Sequence, residues 1–337
     1  MTKRLNLDCI LPQSIIAHLA CPRCKNKIAK IGNEFKCGKC NLLYPIVDGV
    51  PVLINEENSL FSIKDFTNKI KTTREINESK QKKAIKKIIQ KFIPKIGFNL
   101  KAEKNYSNLS NLLSKKLYRS KVLVIGGGEM GKGMKPLINN PKILLIESDV
   151  YFGERNKIIS DAHDLPFISN SFDAVIIQAV LEHVVDPRRC VEEIKRVLKK
   201  WGVVYAETPF MQQVHENEFD FTRFTLGGHR RLFRYFKEID SGVVCGPGMA
   251  LAWSIDRLFG SFSKSKIMTF FRFGILPFFI FWLKYFDYYL IKKPWASDAA
   301  SGIFFMGIKS DKPISDKDII KNYWRNKQKQ NLQQRRF

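Results

Sequence analysis

Apolar runs recur at intervals through the middle of the chain. Val122, Leu123, Val124 and Ile125 make one, and Ile143, Leu144, Leu145 and Ile146 make the next. Others fall over 172–177 and 203–206, with a shorter one over 157–160. Runs of this length, bounded by glycine or acid, predict strands buried on both faces. The stretch 186–199 is different: Val191, Ile194, Val197 and Leu198 line one side of a helix, and Gly202 is its expected stop. Strands alternating with helices over 119–245 predict a parallel sheet with crossover helices. A last apolar run, 301–309, predicts one more strand.

The flanks have other rhythms. Asp48-Gly49 stands between two apolar runs over 44–54, a hairpin pattern. Ile85, Ile88, Ile89, Phe92 and Ile93 follow helical spacing, with Lys82, Lys83, Lys86, Lys87 and Lys91 on the other face, until Pro94 stops the pattern. Residues 273–283 hold eleven uncharged residues between Arg272 and Lys284. At ~1.5 Å per residue a helix of that length crosses only about half of a hydrocarbon core, and Pro277 interrupts it. A lid, a core helix or a helix in the membrane interface is expected rather than a span.

Composition sharpens this picture. The chain has 337 residues, with 45% hydrophobic and 26% charged, enough for a large core or two. Lys and Arg exceed Asp and Glu by 25, a charge that favours nucleic acid, anionic lipid or a phosphorylated substrate. Part of the excess is local: 59–121 holds 17 Lys or Arg against 4 Asp or Glu, a net of +13. Seven cysteines, an odd number, do not suit a secreted disulfide framework. Asp8, Gln13, Ser14 and His18 interrupt the apolar stretch near the start, so no cleaved leader is expected and the cytosol is the expected compartment.

Four cysteines carry the first candidate chemistry. Cys21-x2-Cys24 and Cys37-x2-Cys40 are two knuckles, each able to offer two thiolates to one metal. Four sulfur ligands suit tetrahedral zinc and leave no place for a catalytic water, so the expected zinc is structural. Loss of the ribbon is expected to leave the main domain largely intact.

The second candidate lies where strands end. Gly126-Gly-Gly-Glu-Met-Gly131 follows the strand over 121–125, a turn that lets backbone N–H groups approach a ligand. Glu147 closes the next strand, where a ribose diol would sit, and Asp149 is its rival two residues later. Asp161 and Ala162 open a third segment, placed at the edge of an adenine. A ligand with ribose and adenine and no pyrophosphate fits this set: S-adenosylmethionine.

The run Asp161-Ala-His-Asp-Leu-Pro-Phe167, then Ser171-Phe-Asp-Ala-Val, Val180-Leu-Glu-His-Val184 and Glu193-Ile-Lys-Arg-Val-Leu198 with Gly202 resembles class I methyltransferases of the type 11 group over about 110 residues. The resemblance implies a doubly wound, seven-stranded Rossmann-like sheet whose last strand, 302–309, is antiparallel. It implies that Gly126 and Gly128 cradle the cofactor's methionine end, Glu147 takes the ribose, and Asp161 with Ala162 takes the adenine. Val124 and Met130 depart from its acid and glycine positions. The N-terminal ribbon is similar to the small Trm112-like zinc ribbon. The expected organisation is a ribbon over 1–58, a basic helical linker over 59–118, the methyltransferase domain over 119–310 with a hydrophobic insertion at 246–300, and a basic tail over 311–337.

Methyl transfer to oxygen or nitrogen calls for alignment and, for some acceptors, a base. The segment after the strand at 203–206 supplies the candidates: His215 first, then Asp220 and His229, with Arg223 able to hold an acidic substrate or simply to pair with Asp220. His183 is assigned to scaffold. The run Asp220-Phe-Thr-Arg-Phe-Thr225 resembles methyltransferases of surface glycan and lipid pathways. The expected function is therefore methylation of a membrane-linked glycan or lipid, by an enzyme in the cytoplasm or peripheral at the inner face of the cell membrane. RNA methylation and a non-catalytic cofactor-binding subunit are the alternatives; no aromatic–basic RNA platform is evident.

Overall fold

The computed structural model describes residues 8–68, 93–262 and 265–324. It begins with a four-stranded antiparallel ribbon: β1 (Ile28–Ile31), β2 (Glu34–Cys37), β3 (Leu43–Val47) and β4 (Val50–Pro51), paired in that order. Asp48 and Gly49 both take left-handed backbone (φ 51° and 82°) between paired Val47 and Val50, the two-residue hairpin that the sequence predicts.

The main body is a seven-stranded sheet of β5 (Ser120–Ile125), β6 (Ile143–Asp149), β7 (Ile158–Ile159), β8 (Phe172–Gln178), β9 (Leu198–Pro209), β10 (Phe236–Cys245) and β11 (Gly302–Lys309). Its order is β10-β11-β9-β8-β5-β6-β7. The five strands from β9 to β7 are parallel, and β11 runs antiparallel to both its neighbours. The order reverses between β5 and β8, which opens a crevice at their carboxyl ends.

Strand alternation places side chains on two cores. Leu123, Ile125, Val175 and Ile177 pack on one face against Val191 and Ile194 of the helix Pro187–Val197. Val122, Val124, Ala174 and Ile176 pack on the other, under Tyr106, Leu109 and Leu113 of the helix Ala102–Ser114. Both faces are covered, which is why these strands read as unbroken apolar runs.

The ribbon is not a separate bead. Val52 bridges Ile159 in parallel, and the Leu53 N–H donates to the Ile159 carbonyl at 2.9 Å, so the ribbon continues the sheet beyond its two-residue edge strand. Leu19, Phe35, Tyr44 and Leu53 share one core with Leu165, Phe167 and Phe172.

Three elements differ from expectation. The helix after Asp186 ends at Val197 and passes straight into β9, so Lys199 is strand. Gly202 does not cap that helix; it lies in a bulge where Trp201 has φ 66° and the pairing skips from Phe172–Leu198 to Ala174–Val203. β10 was not legible, because two bulges break its alternation.

The hydrophobic insertion also differs. It folds as the helix Pro247–Phe262 and a helical run over Lys266–Leu290 that continues through Pro277 by way of a π-turn at Phe271–Ile275. That run of 25 residues extends about 37 Å, more than twice the apolar stretch considered above, and by length and composition it is apolar enough to cross a membrane. Arg272 and Asp287 tie it down: Arg272 donates to both Asp256 oxygens, and buried Asp287 accepts from the Gly248 and Met249 N–H groups. The predicted basic helix over 82–93 lies outside the described residues except for Ile93, as does the tail from 325.

Candidate functional site

The four ribbon cysteines converge, with one sulfur of each within 4.8 Å of the others. Cys24 and Cys37 sulfurs are 3.5 Å apart, and the Cys40 and Asn26 N–H groups point at Cys37 and Cys24. The hydrogen bond with Cys24 pushes the Cys40 thiol up to about 12. Burial raises Cys24, but hydrogen bonds from Asn26 and Cys40 outweigh it and hold that thiol at about 6. Neighbouring thiols resist ionising together without a cation between them. The donor set suits tetrahedral zinc.

The cofactor candidates gather at the carboxyl ends of β5, β6 and β7. Gly126 has φ 74°, and a Cβ there would fall 2.2 Å from Val180, so conformation and space both require glycine. Gly128 donates its N–H to Asp149 at 2.9 Å. Glu147 is buried on the same face of β6, two residues before Asp149, and pairs with Arg155 at 2.5 Å. Strand β6 therefore runs through Asp149, two residues beyond the predicted end. Asp161 and Ala162 are buried just after β7. Burial raises the Asp161 carboxyl, but hydrogen bonds from His163 and Ser59 outweigh it and hold it below the usual range.

The loop after β9 closes over the end of β8. The Phe221 N–H donates to the Glu182 carbonyl at 2.8 Å. Asp220 accepts from Arg223 through both oxygens and from the His215 N–H. Burial alone would raise Asp220, but Arg223 holds it at about 2. The pair shapes the loop, and an acid so committed is no base near neutral pH. His215 is half-buried, edge-on to His183 with ring centres 4.9 Å apart. Glu182 is fully buried and burial pushes its carboxyl up to about 8.

His229 is not in this group. It is fully buried beside Phe224, Phe233 and Phe305, which removes it as a base for an acceptor. Burial lowers its pKa to about 3 from 6.5. It stays neutral when folded and protonates once unfolded, so the unfolded state binds more protons below pH 6.5 and stability falls as pH drops from there towards 3. We expect His229→Leu to abolish about 3 kcal/mol of the stability lost between pH 6.5 and 4, read from denaturant unfolding at both pH values. An acid sensitivity equal to wild type would show that the ring titrates in the folded protein.

Sequence reasoning missed several contributors. Ser59 reaches Asp161 at 2.6 Å from the segment that follows the ribbon, where Asn55 and Asn58 donate to Asp164. Gln178 and Glu207, at strand ends, share a hydrogen bond of 2.7 Å. Glu182 looked like scaffold beside His183. Only the buried acids in an apolar run, at 182 and 207, gave any signal. Beyond the loop lies a cavity of about 620 Å³, lined by Gln212, Asn217, Thr222, Arg223, Arg257 and Arg272 and walled by the helical insertion.

Residues 146–206 match the methyltransferase domain model, and residues 16–49 match the model of Trm112p-like proteins. A UPF0434 protein of Vesicomyosocius okutanii is 38% identical over 48 residues, 14% of this chain and 81% of that protein. A demethylmenaquinone methyltransferase of Clavibacter sepedonicus is 54% identical over 43 residues, 13% of this chain; the match spans only 18% of that enzyme's length. Among solved structures, a Haloferax volcanii complex of the Trm112 methyltransferase activator with a methyltransferase aligns at 17% identity and TM-score 0.35, covering 62% of this chain and 92% of that one. A phosphoethanolamine N-methyltransferase 2 of Haemonchus contortus aligns at 15% identity and TM-score 0.39, covering 62% and 53%.

Proposed function

We infer from a chain that belongs to the UPF0434 (Trm112p-like) family through its ribbon, and that carries a methyltransferase domain, that S-adenosylmethionine supplies a methyl group to an anionic, membrane-linked glycan or lipid. The residues at the sheet's carboxyl edge fit the cofactor. A glycine turn leaves no room for side chains, and acids stand at the ends of β6 and after β7 for the ribose and the adenine. When bound, the cofactor brings its own reactive methyl; the protein's part is to align the acceptor and exclude water.

The cavity between the loop after β9 and the insertion is the observation that carries the acceptor. Its volume suits a small-molecule site. Arg223 and Arg272 are engaged by Asp220 and Asp256, whereas Arg257 reaches Asp256 only at 3.9 Å and its Nε has no hydrogen-bond partner among the described residues. A guanidinium so placed suits a phosphate or carboxylate. The outer wall of the cavity is the insertion, whose Ile267, Phe270, Phe273, Phe279, Trp282 and Phe286 are exposed. Aromatic residues flanked by lysines support a helix lying at a membrane interface, where a lipid-linked acceptor would be met.

The test is methyl transfer from labelled S-adenosylmethionine into separated lipid, glycan and RNA fractions. Label is expected in the lipid or glycan fraction, and label in RNA alone would overturn the acceptor. Arg257→Ala should raise KM for the acceptor at least tenfold while leaving cofactor affinity unchanged, because it removes one charge-assisted contact of about 1.5–3 kcal/mol.

A further inference from the structure

We propose that Glu182, His183 and His215 bind a first-row transition-metal dication. Glu182 and His183 lie just past the end of β8, and His215 comes from the loop after β9. One ligand atom from each lies within 4.8 Å of the other two. Two imidazoles and a carboxylate are a donor set for such an ion, harder than the four sulfurs of the ribbon.

Three observations carry the site. Glu182 is fully buried, and neither carboxylate oxygen has a hydrogen-bond partner among the described residues. Burying an unpartnered carboxylate is costly, and a dication supplies the partner. His183 Nδ1 lies 2.7 Å from the Phe219 carbonyl. A carbonyl only accepts, so Nδ1 carries the proton and Nε2 keeps its lone pair; that nitrogen faces Glu182 Oε1 at 3.7 Å. A backbone carbonyl on the distal nitrogen is the usual way a metal-binding imidazole is oriented.

His215 completes the set. Its Nδ1 is 3.4 Å from both Asp220 Oδ2 and the Gln213 carbonyl, two acceptors that favour the proton there and leave Nε2 for the metal. Arg223 Nη2 lies 3.5 Å from the same Nδ1 and can only donate, but its two hydrogens go to closer acceptors, Asp220 Oδ2 at 2.7 Å and the Gln213 carbonyl at 3.3 Å. The Phe221 and Thr222 N–H groups hold the loop to the Glu182 carbonyl, so the ligands are brought together before any ion arrives. Three protein ligands leave open positions, which water or an acceptor oxygen would fill. This assigns His215 to the cation rather than to proton transfer. Any part the cation plays in methyl transfer rests on the function proposed above; its binding does not.

The probe is cobalt(II), titrated into full-length, zinc-replete protein and counted by equilibrium dialysis with elemental analysis. One cobalt per chain is expected beyond the ribbon zinc. Its weak visible bands should lack the thiolate charge-transfer absorption that a cobalt-substituted ribbon would give. Glu182→Gln keeps the side chain's shape and removes its charge. His215→Gln removes a ligand from a half-buried loop position. Each should weaken cobalt binding at least tenfold, with zinc content and Tm unchanged. Wild-type protein that takes up no cobalt beyond the ribbon would overturn the proposal, as would both variants binding like wild type. If Glu182→Gln does not fold, His215→Gln decides alone. Because the readout is bound metal, a failure of methyl transfer leaves this result unaffected.

Discussion

Cys37→Ser should lower the melting temperature of the whole protein by roughly 10 °C and take bound zinc from about one per chain to none. Tetrahedral thiolate sites couple metal binding to folding, with about 10–16 kcal/mol in isolated zinc fingers. Here the sheet retains its own core, so a loss of about 3–5 kcal/mol is expected, worth about 2–4 °C per kcal/mol at this chain size. The loss cannot stay within the ribbon. Phe35 and Tyr44 pack in the same core as Phe167 and Phe172, and Leu53 hydrogen-bonds to edge strand β7. Lys25, next to the first knuckle, forms ion pairs with Asp164 and Glu193. The ribbon and the cofactor edge are therefore not independent: cofactor affinity should fall with the ribbon, since Lys25 and Asn55 hold Asp164 of the turn that Asp161 caps. Melting followed by circular dichroism, with zinc measured in the same sample, is the check. A zinc-free Cys37→Ser protein melting within 2 °C of wild type would mean that packing, not metal, holds the ribbon.

What the sequence made legible follows from burial. β5, β6, β8 and β9 lie between two covered faces, so their apolar runs are nearly continuous and need no context to be read. The four cysteines were legible because metal geometry dictates spacing. β10 was not, since Lys237, Glu238 and Asp240 interrupt it and only its pairing with β11 makes it a strand. The length of the insertion's helical run was hidden by Pro277, which a preceding π-turn accommodates. The site was harder than the fold. Asp161 and Glu147 stand at strand ends, where position alone hints at use, whereas Ser59 meets Asp161 across 102 residues of sequence. His229 shows the opposite error: a histidine among aromatic residues in a polar loop reads as a candidate base, until its ring is seen inside the core.

Asp161→Ala should weaken S-adenosylmethionine binding by about 1–3 kcal/mol, between about fivefold and 150-fold, the usual cost of losing a charged hydrogen-bond partner. Hydrogen bonds from His163 and Ser59 keep this carboxylate ionised and fix its direction, so it is an acceptor ready for an exocyclic amine. Asp161 also caps the short turn Ala162–Asp164, so a loss of affinity could come from a loosened turn instead. Ser59→Ala separates the two: it frees one oxygen of Asp161 without touching the cap and should leave affinity equal or tighter. Glu147→Ala should cost a similar 1–3 kcal/mol if Glu147 takes the ribose. Its rival is placed differently, with Asp149 accepting from Gly128 and Glu147 from Arg155. Titration calorimetry on the variants decides. Weakening by Asp149→Ala and not by Glu147→Ala moves the ribose to the true end of β6, whereas unchanged affinity in both Asp161→Ala and Glu147→Ala would remove the cofactor from this edge of the sheet.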